Sequence, residues 1–107
     1  MLASELAKKL GLETVHAGTD NEVTGCYIGD MLSVVMSRAE EGNIWLTVQA
    51  NVNIDAVAVL TGCAAIVIVE GMTADSETVK KAQVQDVTIY RTEETAYDLA
   101  CKIKELI

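Results

Sequence analysis

Ala64-Ala65-Ile66-Val67-Ile68-Val69, with Gly62 ahead of it and Glu70-Gly71 behind it, is the stretch that decides the fold. A strand with one wet face alternates apolar and polar residues. This run does not alternate. Both of its faces must therefore be covered, as in a parallel sheet packed between helices. Working outward, Ile54 to Leu60 is apolar except for Asp55 and is closed by Thr61-Gly62, so it reads as a buried helix. Before it, Ile44 to Gln49 reads as a second strand. After Val69, Glu70 to Thr73 is a loop, and Asp75-Ser76-Glu77-Thr78 opens a polar helix to about Gln85. The acids of that helix lie at its favourable N-terminal end.

The flanks continue the alternation. Val87 to Tyr90 reads as a strand and Thr92 to Ile107 as a helix, with Ala96, Leu99, Ala100, Ile103 and Ile107 along one face. On the other side, Ser4 to Leu10 is a helix with Ser4 as N-cap and Gly11 as its stop. Glu13 to His16 is a short strand, residues 17–22 form a polar loop, and Val23 to Ile28 is another strand. Asp30 to Ala39 is a helix. The expected architecture is α/β: one domain over residues 1–107, with a small, mostly parallel sheet of four to five strands, helices on both faces and right-handed crossovers.

Composition narrows the function. The chain has 107 residues, of which 50% are hydrophobic, and a net charge of −8. A chain of this length buries about 60–70% of its extended surface on folding. The acidic balance and scattered bases argue against nucleic acid and against anionic membranes. Among the bases only Lys8-Lys9 and Lys80-Lys81 are adjacent. Cys26, Cys63 and Cys101 lie far apart, and His16 is the only histidine, so no zinc-type ligand set is expected. Scattered cysteines without a leader-like start suggest a reducing, cytoplasmic setting. No catalytic residues, metal or cofactor are expected. The sole histidine has no nucleophile and third partner in view, and neither nucleotide-loop motif, G-x-x-x-x-G-K-[ST] or G-x-G-x-x-G, is present.

In open α/β sheets, ligands sit beyond the C-terminal ends of the strands. Those ends fall at Gln49 to Asn53, at Glu70 to Thr73, at Arg91-Thr92 and at the Gly29-Asp30 junction. Gln49, Asn51 and Asn53 bring carboxamides to a helix start, where free N–H groups also favour anions. With Gly71 and Thr92 they form the expected ligand contacts. Gly25 and Gly29 are read as turn residues and Asp30 as the cap of the helix that follows. Met31, Val35 and Met36 on that helix are read as a surface for a second subunit.

The run Val23-Thr24-Gly25 to Gly29-Asp30-Met31-Leu32-Ser33, then Trp45 to Gln49, Asn53 to Val59 and Ala65 to Gly71, in this order and spacing, resembles a DRTGG domain from Leu2 onward. Val23-Thr24-Gly25-Cys26 departs from the name-giving string, with Val in place of Arg and Cys in place of the second Gly. The resemblance implies a non-catalytic regulatory and dimer-forming module, tied to nucleotide sensing, of the kind found beside CBS domains in some pyrophosphatases and upstream of the catalytic part of some phosphotransacetylases. It implies a fold similar to the N-terminal domain of HPr kinase, and stand-alone versions in anaerobes, some near iron-hydrogenase genes. The expectation is a homodimer that senses a nucleotide or phosphorylated metabolite and modulates a partner enzyme. The alternative is a protein–protein adaptor without a small ligand, for example in a redox or hydrogenase system.

Overall fold

A computed structural model describes residues 1–107. Elements follow in the order α1 (Ala3–Leu10), β1 (Glu13–His16), β2 (Gly25–Ile28), α2 (Leu32–Arg38), β3 (Asn43–Thr47), α3 (Asn53–Thr61), β4 (Ala65–Ile68), α4 (Ser76–Gln85), β5 (Ile89–Arg91) and α5 (Ala96–Leu106). The five strands form one sheet in the order β1-β5-β4-β3-β2. β2, β3, β4 and β5 pair in parallel, and β1 pairs antiparallel with β5, with a shift of register between Thr14 and His16.

The non-alternating strands follow directly from this order. β4 is central and buried at every position. Its side chains divide between two cores. Ala65 and Val67, with Ile44 and Leu46 of β3, pack under α1 and α5 against Leu6, Leu99 and Ile103. Ile66 and Ile68, with Trp45, pack under α2, α3 and α4 against Val35, Ile54, Val57 and Ala82. Three successive right-handed crossovers that all step the same way put those three helices on one face.

Several local expectations are corrected. Ser4 lies inside α1, whose N-cap is Leu2, and its backbone N–H and hydroxyl both donate to the Asp20 carboxylate. α2 begins at Leu32 behind Met31, not behind Asp30. Val35 is fully buried in the second core, so it belongs to the interior of the subunit and not to a surface for another. Gly25 and Gly29 do not have the positive φ that a tight turn would need. They are small because space is short: a Cβ at Gly25 would meet the Asn43 carboxamide at 2.9 Å, and one at Gly29 would meet the Tyr27 ring at 3.0 Å.

Candidate functional site at the strand ends

Because β2 to β5 run the same way, the segments after Ile28, Thr47, Ile68 and Arg91 all emerge at one rim of the sheet. The near half of this rim is built on Asp30. Its carboxylate accepts from the Thr47 hydroxyl at 2.8 Å and from the Val48 N–H at 2.9 Å. Its carbonyl accepts from the Gln49 amide at 3.1 Å. Asp30 is therefore a tie between the end of β2 and the end of β3, and its expected role as a cap for α2 is corrected: α2 has no side-chain cap. Trp45 reinforces the tie from below, its indole N–H donating to the Gly29 carbonyl at 2.9 Å.

The carboxamides continue from there. The Asn51 amide donates to Gln49 Oε1 at 3.0 Å, and the Asn53 N–H donates to Asn51 Oδ1 at 3.0 Å. Asn53 is thus the first residue of α3 and not its cap, and Asn51 supplies the oxygen that a cap would supply. The three expected residues come together as one chain of hydrogen bonds. The Asn53 side chain makes none of its own and faces the groove between α3 and α4.

The far half is built on Arg91. Its guanidinium donates to the carbonyls of Met72 and Gly71 and pairs with Glu13 at 2.6 Å and Glu93 at 3.1 Å. These partners raise its already high pKa further. Gly71 and Thr92 meet directly, the Gly71 N–H donating to the Thr92 carbonyl at 2.9 Å. Gly71 has φ +73°, the region that favours glycine, and a Cβ there would run into Glu93. With the Gly71 N–H and that of Glu70 both engaged, this turn offers no free N–H to an anion.

One depression lies away from the rim and one opens beside it. The first, about 600 Å³, is at the opposite end of the sheet, against Thr24, Glu41, Cys63, Gln85 and Asp86. The other, about 490 Å³, lies between α3 and α4 and is lined by Val52, Asn53, Ala56, Glu77, Lys80, Lys81 and Val84. Asn53 is the one expected ligand residue that reaches either. Lys80 and Lys81 were legible as an adjacent pair, and Glu77, Lys80, Lys81 and Val84 fall at helical spacings of three and four.

Other titratable groups are structural or inert. His16 Nδ1 lies 2.7 Å from the Val87 carbonyl, which can only accept, so that nitrogen carries a proton. Burial pushes the thiols of Cys26 and Cys63 up to about 11, leaving little thiolate at neutral pH. Asp75 caps α4, its carboxylate accepting from the Thr78 hydroxyl and N–H, which lowers its pKa. Asp55 is different. It is fully buried in the first turn of α3, and neither carboxylate oxygen has a hydrogen-bond partner. Burial raises its pKa to about 6, against an opposing pull from Lys81 and His16. No cluster of three or more His, Cys, Asp or Glu side chains is assembled, and no helix is long and apolar enough to cross a membrane.

No protein-family model and no curated protein matches the chain. A solved structure does: the CBS and DRTGG domains of the regulatory region of Clostridium perfringens pyrophosphatase, complexed with the activator diadenosine tetraphosphate. The TM-score is 0.69 at 13% identity, over 92% of this chain. The chain spans 44% of the length of that regulatory region. The architecture is an α/β module of DRTGG-like fold, as the sequence resemblance implies. The neighbour is a regulatory region and not a catalytic domain.

Proposed function

We propose that the chain is a non-catalytic regulatory module that senses a nucleotide or other phosphorylated metabolite and modulates a partner enzyme. The observation that carries this reading is the fold shared, over nearly the whole chain, with a regulatory region bound to a nucleotide activator. The proposed contacts begin at Gln49, Asn51 and Asn53, with Gly71 and Thr92 on the far side of the same rim. The free carboxamide of Asn53 supports the near side. The test is calorimetry of the chain against AMP, ADP, ATP and diadenosine tetraphosphate. Saturable binding of at least one is expected; flat titrations throughout would overturn the reading.

The proposed homodimer uses the outer surface of α2. Met31 is 68% exposed and Met36 46%, with Val34 and Ile28 beside them in sequence also exposed. Light scattering at micromolar concentration should give twice the chain mass. The adaptor reading draws on the same apolar surface, and a stoichiometric protein partner recovered without bound metabolite would favour it.

A further inference from the structure

We infer that the groove between α3 and α4, and not the strand-end rim, is where the phosphates of the ligand are held, with Lys80 and Lys81 as their cationic partners. The inference rests on the nucleotide-sensing reading above and locates the charged half of that site.

The rim is poorly suited to anions. It carries the carboxylates of Asp30, Glu70, Glu93 and Glu94, and its one guanidinium, Arg91, is already bound to Glu13, Glu93 and two carbonyls. A phosphate there would meet like charge with no free cation to offset it. The groove has the opposite balance. Lys80 and Lys81 both line it, Glu77 is its single acid, and neither lysine makes an ion pair or hydrogen bond. In a chain of net charge −8, the lining thus holds two unpaired cations against one acid, with the buried Asp55 carboxylate close enough to feel Lys81.

Three further features point to the same occupant. The Asn53 side chain, at the start of α3, lines the groove with its carboxamide free to donate to a phosphate oxygen. Val52, Ala56 and Val84 give the groove apolar walls, and Val84 is 81% exposed with nothing of this chain to cover it. Its volume of about 490 Å³ falls within the range of small-molecule sites, about 300–1,000 Å³. The Asn53 carboxamide joins this groove to Gln49 and Asn51. A phosphate chain on the lysines with an uncharged ring against the apolar wall fits these groups together.

The experiment measures ATP binding by calorimetry in three full-length proteins: the parent, Lys80→Gln/Lys81→Gln, and Lys8→Gln/Lys9→Gln. The last pair removes the same charge from exposed positions on α1, across the sheet. The parent should bind, the groove variant should lose at least ~tenfold in affinity, and the α1 variant should match the parent. Inorganic tripolyphosphate should displace ATP from the parent. Equal binding by parent and groove variant would overturn the groove while leaving the sensing reading in place. An equal loss in both variants would show a net-charge effect and overturn it too. Failure of tripolyphosphate to compete would show that phosphates are not what the lysines hold. Silence of the parent toward both probes would overturn the groove, and silence toward AMP, ADP and diadenosine tetraphosphate as well would overturn the sensing reading with it. All four positions are exposed, so loss of fold does not confuse the outcome.

Discussion

Asp30 and Asp55 occupy comparable places in successive βα units, each near the start of the helix that follows a parallel strand, and they are opposites. Asp30 is exposed, and its carboxylate is engaged by the Thr47 hydroxyl and the Val48 N–H. Asp55 is fully buried, and its carboxylate is engaged by nothing. One acid holds two strand ends together; the other is a desolvated charge in a helix that is otherwise apolar. An acid at a helix start therefore has no fixed meaning. Its role is set by what the neighbouring strand brings within reach. β3 brings a hydroxyl and an N–H to Asp30. The elements around Asp55 bring no donor within hydrogen-bond reach.

The largest effect is expected at Asp30. Asp30→Ala should lose about 2–3 kcal/mol in urea unfolding, because the nearly buried Thr47 hydroxyl and the Val48 N–H lose their acceptor together. A loss below ~0.5 kcal/mol would show that water replaces the tie and that the rim is not built on it.

Asp55 should behave in the reverse direction. Its folded pKa, about 6, lies above the usual carboxylate value of 3.8. Between these values the folded state holds a proton that the unfolded chain has released. Its contribution is therefore fully favourable below the lower value and is lost as pH rises through about 6. Asp55→Asn removes the titration. Above pH 7 the variant should exceed the parent by about 2 kcal/mol, and the difference should fall away toward pH 4. Taking the difference between the two proteins cancels Asp75 and Asp86, whose lowered values make their own contributions fade in acid. A difference independent of pH would show that Asp55 finds a partner.

Smaller effects sharpen the contrast. Thr47→Val removes one donor to Asp30 and the acceptor for the Gln49 N–H, and should cost about 1 kcal/mol. Gln49→Ala removes two exposed bonds, the one to the Asp30 carbonyl and the one from the Asn51 amide, and should cost about 0.5 kcal/mol in the same assay. If Gln49→Ala proved the more damaging of the two, the tie would run through the carboxamides and not through the carboxylate.

Much of the architecture was legible because it rests on patterns that a single segment carries. The unbroken run Ala64 to Val69 announces a strand covered on both faces, and the near-unbroken Ile54 to Leu60 announces a buried helix. What was not legible depends on partners distant in the chain. β1 joins the sheet through Arg91 and Glu13, 78 positions apart. Asp30 looked like a cap because nothing local shows that Thr47 lies beneath it. Gly25 and Gly29 looked like turns, but are glycine because Asn43 and Tyr27 crowd them. Val35 looked available on a helix with apolar residues all round, and only the packing separates it from Met31 and Met36. At the candidate site, the carboxamides were found from their place at a strand end. Lys80 and Lys81 belong to an exposed polar helix, and their groove exists only where α4 lies against α3.

The proposed nucleotide sensing and the proposed dimer can be checked together. The most direct test is native mass spectrometry of the protein gently purified from its own cells, which reports subunit number and retained small molecules in one spectrum. Twice the chain mass plus a nucleotide-sized increment, lost on collisional activation, is expected. A bare monomer, or the chain bound to another protein with no small molecule retained, would contradict the proposed function.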